Sequence, residues 1–160
     1  MEKINQKEIL ALTLQRMYWI ETEMEQLVTW EARIELEGEH KEALEILAND
    51  SDKHALTLEK WLNVANIELP RSAPRGIPQK GFDFYRTNVF EMFSEIRKYE
   101  ILARDTYHSI TKTEPNILEE TFPDEEQREE FIKDMKHLVA EEERHKRICD
   151  DKIGGFARVL

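Results

Sequence analysis

The sequence predicts an all-α protein, a single four-helix up-down bundle with a long crossover between its second and third helices. Hydrophobic residues make up 40% and charged residues 36% of the 160-residue chain, with five glycines and five prolines, which is typical of α-rich soluble domains. Apolar residues recur with a helical period in four segments, about residues 5–36, 39–65, 85–111 and 123–152. A stretch that contains prolines and glycines separates the second segment from the third. We therefore expect residues 1–160 to form one domain.

Charge and cysteine content exclude several classes of protein. A formal net charge of −11 argues against a nucleic-acid partner. No apolar run approaches the ~20 residues that a membrane span needs. The single cysteine, Cys149, excludes a disulfide framework and a four-cysteine metal site. Because the amino terminus leads directly into an amphipathic pattern without a signal peptide, we expect a cytoplasmic protein.

The first helix, about residues 5–36, offers several acidic residues near its apolar face. A capping box of Asn5 and Glu8 predicts its start. On a helical wheel, one face collects Ile9, Leu12, Ile20, Met24, Leu27, Trp30 and Ile34. Glu23 lies about 50° from the centre of that face and Glu21 about 110° away. Glu31 also falls near the face, and Glu23 is preferred because it is nearest to the middle of the helix.

The second helix, about residues 39–65, places Ser51 and His54 on its apolar face. Asp52 points away from that face and Asp50 is marginal. A histidine in such a position is more often a hydrogen-bonded core residue than a metal ligand. After this helix, residues 65–84 contain three prolines and two glycines and predict a connection. The connection is long enough to cross the bundle, so that the second and third helices would run parallel.

The third helix, about residues 85–111, has Glu100 near its apolar stripe, whereas Glu95 and Asp105 point outward. A carboxylate in this position is either coordinated in the interior or extends to water along the edge of the stripe. The fourth helix, about residues 123–152, contains three consecutive glutamates at 141–143. The middle one, Glu142, falls at the centre of the apolar face, and His145 is about 55° away. Glu142 and His145 therefore form an i, i+3 pair on the buried side.

This pattern resembles the rubrerythrin-like branch of the ferritin-like superfamily over all four helices. The most specific stretches are Glu-Glu-x-x-His at 141–145 and Glu-x-x-Ala-x-x-x-Tyr at 100–107. Ferritin-like dinuclear proteins take one glutamate from each of two helices and Glu-x-x-His from each of the other two. The resemblance implies a metal site with the ligands Glu23, His54, Glu100, Glu142 and His145. It implies two iron ions, or one, with manganese or zinc as alternatives.

The resemblance also implies a non-haem iron oxidoreductase that acts on peroxide or oxygen. Full-length rubrerythrins carry a rubredoxin-type iron domain, which one cysteine cannot build, so electrons would come from a separate donor protein. A homodimer is common in the family. Trp30 and Tyr107 would be aromatic neighbours of the site, although their helical spacing suits plain core residues equally well. Cys149 is most simply a core residue, and storage of iron in a cage is not excluded by the sequence.

One position departs from the family pattern: Ser51 replaces the glutamate that typically bridges the two metals. Four carboxylates neutralise two divalent cations, whereas Glu23, Glu100 and Glu142 supply three. An exogenous anion or Asp50 would complete the site, or else it holds one metal or none. The alternative prediction is therefore a structural or interaction bundle with a reduced or empty site. Five buried ionisable groups without a metal would carry a large desolvation cost, which favours metal binding.

Overall fold

The structure, a computed structural model, describes residues 4–25, 38–77 and 88–153 and is all-helical over these ranges. The helices in chain order are α1 (Lys7–Glu25), α2 (Gly38–Val64), α3 (Val89–Thr111), α4 (Pro115–Thr121) and α5 (Glu125–Ile153). The prediction of an all-α protein is confirmed. None of the described helices has the combination of length and apolar character that crossing a bilayer requires.

The helix boundaries agree with the sequence prediction to within a few residues for α2 and α5 and at the end of α3. The predicted continuation of the first helix over 26–36 and the crossover residues 78–84 lie outside the described residues. The start of α3 was predicted too early. Asn88 has extended backbone angles, φ −83° and ψ 173°, and its side chain accepts a hydrogen bond of 2.8 Å from Glu91 N. An N-cap of this kind begins the helix at Val89.

Helix α4 is a seven-residue helix that the sequence analysis did not predict. Pro115 occupies the first turn of α4. Proline suits that position because the first turn of a helix has no internal partner for a backbone N–H. The short helix buries Ile117 against the core and leads into Phe122.

Helix α5 lies antiparallel to both α2 and α3. The residue pairs that join these helices follow one another in opposite directions along the two partners. On α2 and α5 the pairs are Glu39–Lys152, Asp50–Arg144 and Lys60–Glu130, and on α3 and α5 they are Arg97–Asp150 and Arg104–Glu143. Consequently α2 and α3 run in the same direction.

Helix α1 packs mainly against α2 and also contacts α3. Near its start, Glu114 N donates a hydrogen bond of 2.9 Å to Ile4 O. The described part of the connection after α2, residues 65–77, forms no regular helix and lies against α1, where Arg16 Nε donates to Arg75 O at 2.6 Å. Gly76 has φ +91°, and a Cβ there would meet the Arg16 guanidinium at 2.5 Å. Glycine is therefore required at that turn.

The described helices surround one continuous hydrophobic core. At the end where α2 meets the start of α5, the rings of Trp61, Phe122 and Phe131 pack with centroids 4.6–5.5 Å apart. Trp61 Nε1 also donates a hydrogen bond of 2.9 Å to Asp134 Oδ2. This aromatic cluster fixes α2 against α5 at one end, so that the polar residues further along both helices face each other.

The buried face of α1 differs from the predicted one. Leu10, Leu14 and Met17 are buried, whereas Ile9 is 43% exposed and Leu12 is only half-buried. Apolar residues occur on several sides of this helix, and the predicted wheel also averaged over residues 26–34, which lie outside the described ranges. The true stripe continues from Met17 through Ile20 to Met24, and this rotation changes which glutamate faces the core.

Candidate metal centre

Five polar side chains from all four long helices meet in the core. Each of them is 3% exposed or less. They are Glu21 of α1, His54 of α2, Glu100 of α3, and Glu142 and His145 of α5. Buried ionisable groups are costly unless they are paired or coordinated, so their convergence on one place marks the site of most interest in the described chain.

The periodicity of α5 explains why its two members face inward. Its buried positions follow one helical stripe: Met135, Leu138, Glu142, His145 and Cys149. The apolar members of this stripe pack in the core and hold the polar pair at mid-helix. The sequence prediction that Glu142, rather than Glu141 or Glu143, is buried is confirmed.

His54, Glu142 and His145 form the centre of the group. Each offers one ligand atom, and these three atoms lie within 4.8 Å of one another. Glu142 Oε1 is 3.0 Å from His54 Nδ1, and Glu142 Oε2 is 3.5 Å from His145 Nδ1. The two imidazole rings are stacked with their centroids 5.5 Å apart. A carboxylate between two imidazoles is an arrangement that suits a divalent transition metal.

Glu100 and Asp50 each contact one ring nitrogen of His145. Glu100 Oε2 lies 3.0 Å from Nδ1, and Asp50 Oδ2 lies 2.9 Å from Nε2. Glu100 is buried as predicted, whereas Asp50, which was marginal on the wheel, is turned toward α5. Ser51 is buried as predicted. The helix α2 carboxylate of this site is therefore Asp50, next to the serine that departs from the family pattern.

Glu21, and not Glu23, is the glutamate that α1 brings to the site. Glu21 Oε2 lies 3.6 Å from His54 Nδ1, and Glu21 Oε1 accepts a hydrogen bond of 2.8 Å from Tyr107 Oη. Glu23 is half-buried. The sequence prediction of Glu23 was wrong in this respect because the apolar face of α1 is rotated from the predicted one. The spacing Leu10, Leu14, Met17, Glu21, Met24 is a regular helical stripe and was the signal for the correct choice.

Three atoms of the site lack a hydrogen-bond partner. They are Nδ1 and Nε2 of His54 and Oε1 of Glu142, in residues that are 3% exposed or less. His54 Nδ1 and Glu142 Oε1 are close to each other but poorly aligned for a hydrogen bond. Buried polar atoms without a partner are rare in proteins and call for a reason such as an ion. These donor atoms therefore fit a bound metal cation.

The chain has no match among protein-family models, curated proteins or solved structures.

Carboxylates set the protonation of both histidines in the absence of a metal. Burial alone would lower the pKa of His54, but Glu142 and Glu21 outweigh it and raise that pKa from 6.5 to about 10. Burial alone would likewise lower the pKa of His145, but Glu100 and Glu142 outweigh it and raise that pKa to about 11. Without a metal both rings are cationic at neutral pH, so a metal that binds their nitrogens has to displace protons.

Burial raises the pKa of the Glu100 carboxyl well above 4.5, and the nearby Glu142 charge adds to that rise. Burial likewise raises the pKa of Tyr107, together with the charge of Glu21, so the phenol remains a donor. Asp50 behaves differently: burial opposes the change, but the hydrogen bond and charge of His145 lower its pKa. The pKa of the buried Glu100 carboxyl and that of Asp50 at its edge thus move in opposite directions.

Trp30, the other aromatic residue that the sequence placed beside the site, lies outside the described residues. Tyr107 is buried, and it contacts the site through its hydroxyl. Sequence reasoning did not find Glu141. Its Oε1 lies 3.8 Å from His54 Nε2, although its side chain is 24% exposed. No helical wheel of α5 alone could identify it, because the contact depends on how α2 lies against α5.

Proposed function

We propose that this chain is a ferritin-like metal protein of the rubrerythrin-like kind, a non-haem iron oxidoreductase that acts on peroxide or oxygen. The observation that carries the proposal is the set of unpartnered buried atoms on His54 and Glu142, in a group whose ligand atoms lie within 4.8 Å of one another. A metal cation at this place would coordinate atoms that have no hydrogen-bond partner in the protein.

The proposed ligands are Glu21, His54, Glu100, Glu142 and His145, with Glu21 in place of Glu23. Asp50 supplies a fourth carboxylate next to these residues through its contact with His145. Four carboxylates balance two divalent cations, which removes the charge deficit that Ser51 would otherwise leave. Nitrogen and oxygen donors of this kind suit iron, manganese and zinc, and the reaction with peroxide or oxygen favours iron, bound as two ions or as one.

Iron would supply the one-electron redox chemistry, since the carboxylate and imidazole side chains of the five proposed ligands are not themselves redox-active. The protein residues hold and orient the ligands. Tyr107 Oη donates to one oxygen of Glu21 and so fixes the direction of the other. Asp50 does the same for the ring of His145 by accepting from Nε2, which orients Nδ1 toward Glu100 and Glu142.

The arrangement of the helices supports the ferritin-like part of the proposal. Helices α2 and α3 run in the same direction, as a long crossover between them would produce, and the described connection after α2 contains no helix. The electron donor would be a separate protein, and we propose a cytoplasmic homodimer by analogy with the family.

A specific observation favours the alternative of a structural bundle without a metal. Both nitrogens of His145 already have carboxylate partners at 2.9–3.0 Å, so a protonated His145 is well satisfied between Glu100 and Asp50. In that case the site would be a buried ion network that joins the helices. Networks of this kind contribute little net stability but can fix which surfaces pack together.

Metal content per chain decides between the two functions. The protein would be produced in medium supplemented with iron and manganese, beside the double variant Glu142→Ala, His145→Ala. A matched control changes the exposed His137 and the half-buried Glu143 of the same helix to alanine. We expect two metal ions per chain, or one, in the parent and the control, and none in the site variant, with all three folded by circular dichroism.

Consumption of peroxide by the iron-loaded parent, with a chemical reductant, would then test the redox part of the proposal. A parent protein without metal that nevertheless folds like the site variant would contradict the proposal and leave the structural bundle. Two metal ions per chain would mean that the site is dinuclear despite Ser51, whereas one ion would mean that it is mononuclear.

A further inference from the structure

Two carboxylates connect the buried histidines with the surface of the molecule. Among the described residues that contact His54 and His145, the side chains of Glu21, Glu100 and Glu142 are 3% exposed or less. Glu141 and Asp50 are 24% and 13% exposed. The Nε2 atom of each histidine faces one of them: His54 faces Glu141 at 3.8 Å, and His145 faces Asp50 at 2.9 Å. This side of the site is therefore its route to solvent within the described chain.

The guanidinium of Arg144 lies between these two carboxylates. Its Nη2 contacts Asp50 Oδ2, and its Nε donates to Glu141 Oε2 at 3.2 Å. The Arg144 side chain is 48% exposed. A cation thus already sits between two carboxylates, each of which also contacts a buried imidazole.

A groove between α2 and α5 opens at the same place. It has a volume of about 720 Å³, and Glu141 and Arg144 are in its lining together with the exposed Ile46 and His137. The groove is large enough for hydrated ions to reach Arg144 from solvent. Of the two carboxylates, Glu141 lines the groove, and Asp50 lies behind Arg144, which contacts it.

His54 provides an independent indication that a ligand passes here. Its Nε2 has no hydrogen-bond partner, although the ring is 3% exposed, and it is directed toward Glu141. An acidic pair alone would not indicate a site. A buried ligand nitrogen that faces this pair and has no hydrogen-bond partner does, since a metal cation between Glu141 and His54 that displaces its proton would bind it.

We propose that Asp50 and Glu141 form an entry site for divalent cations, which the Arg144 side chain closes. The two carboxylates attract the ion from the groove, and Arg144 swings away as the ion replaces it. The ion then passes from Glu141 to His54 Nε2 and into the buried group. This inference rests on the proposed function, because it concerns how the metal reaches the ligands named above.

The test measures the rate at which cobalt(II) alone enters the metal-free protein, followed by its visible absorption in a stopped-flow instrument. We expect Arg144→Gln to load several-fold faster than the parent and to reach the same number of ions per chain. The matched control is Arg147→Gln, an exposed arginine one turn further along α5 whose Nε reaches only the backbone oxygen of Glu143 in the described contacts. Arg147→Gln removes the same charge as Arg144→Gln, and this variant should take up cobalt(II) at the parental rate.

A second comparison tests whether the Glu141 carboxylate attracts the entering ion. In the Arg144→Gln background, adding Glu141→Gln should slow loading, because one of the two carboxylates that attract the ion loses its charge. Equal rates for the parent and Arg144→Gln, or an equal acceleration by Arg147→Gln, would overturn the entry site while the metal centre stands. Failure of both the parent and Arg144→Gln to bind cobalt would overturn the metal centre and the entry site together. Binding by Arg144→Gln alone would mean that Arg144 keeps the site closed at equilibrium.

Discussion

Tyr107 Oη donates a hydrogen bond of 2.8 Å to Glu21 Oε1, and both side chains are buried. The bond joins α3 to α1 inside the core. It identifies Glu21 as the glutamate of α1 that belongs to the candidate site, and the contact of its other oxygen with His54 at 3.6 Å supports that assignment.

We expect Tyr107→Phe to destabilise the metal-free protein by about 1–3 kcal/mol, since a buried carboxylate oxygen loses its donor while the ring volume is nearly kept. Urea unfolding followed by circular dichroism measures the change. Because the two residues are in contact, a double-mutant cycle with Glu21→Gln should show clear non-additivity. Additive effects would mean that the hydrogen bond contributes nothing of its own.

Glu21→Gln should lower the metal content or the metal affinity of the protein, whereas Glu23→Gln should leave both unchanged. The two glutamates are two positions apart on one helix. Of the two, Glu21 is the one that contacts His54 and Tyr107 in the described contacts. Titration of the metal-free variants with cobalt(II) compares them under identical conditions. A larger loss in Glu23→Gln would contradict the assignment of Glu21.

The metal-free protein should lose stability as the pH rises above 6.5. His54 has a folded-state pKa of about 10 and His145 of about 11, against 6.5 for an ordinary histidine. A raised folded-state pKa contributes stability that is complete below the unfolded pKa and is lost as the pH approaches the folded value. The raised pKa of Glu100 acts in the same direction at lower pH.

Metal should reverse this trend, since it binds neutral imidazole and its apparent affinity grows with pH. The free energy of unfolding would be measured from pH 6.5 to about pH 8, once with metal and once with a chelator. In this range the free energy of unfolding of the metal-free protein should already decrease with pH. The difference between the two series should increase with pH. A constant difference would mean that the bound metal does not displace protons from the histidines.

Cys149 should resist thiol reagents in the folded protein. It is fully buried on α5, and burial, with the nearby Glu100 charge, raises its pKa well above the ordinary value, so the reactive thiolate is suppressed. Labelling with a chromogenic disulfide should be slow in native buffer and complete within the mixing time in denaturant. Rapid native labelling would show that the α5 end of the core opens readily.

The sequence was sufficient to predict which face of α5 is buried but not which face of α1 is buried, and the reason is physical. In α5 the fully buried apolar residues share one side of the helix, and Glu142 and His145 lie on that side. In α1 apolar residues lie on several sides, and Ile9 and Leu12 draw the apparent centre away from the true face. Which side is buried is then decided by packing against α2 and α3, which the sequence of α1 does not contain.

Asp50 and Glu141 illustrate a second limit of sequence reasoning. Each contacts a histidine on another helix, and Asp50 and His145 are 95 residues apart along the chain. Their positions on their own helices are intermediate between core and surface, so the periodicity assigns them to neither. Only the antiparallel alignment of α2 with α5 brings them to the histidines.

The residues of the site also have a consequence for how the protein folds. His54 and Glu21 belong to the first half of the chain, and Glu100, Glu142 and His145 belong to the second. Each half alone holds an incomplete set of ligands, so the site can form only when α1 with α2 docks on α3 with α5. Because bringing such distant segments together costs loop-closure entropy, we expect this docking to follow the formation of the individual helices. The five buried polar side chains therefore come together only after α5 has packed against α2 and α3, so the completeness of the site reports on the assembly of the whole bundle.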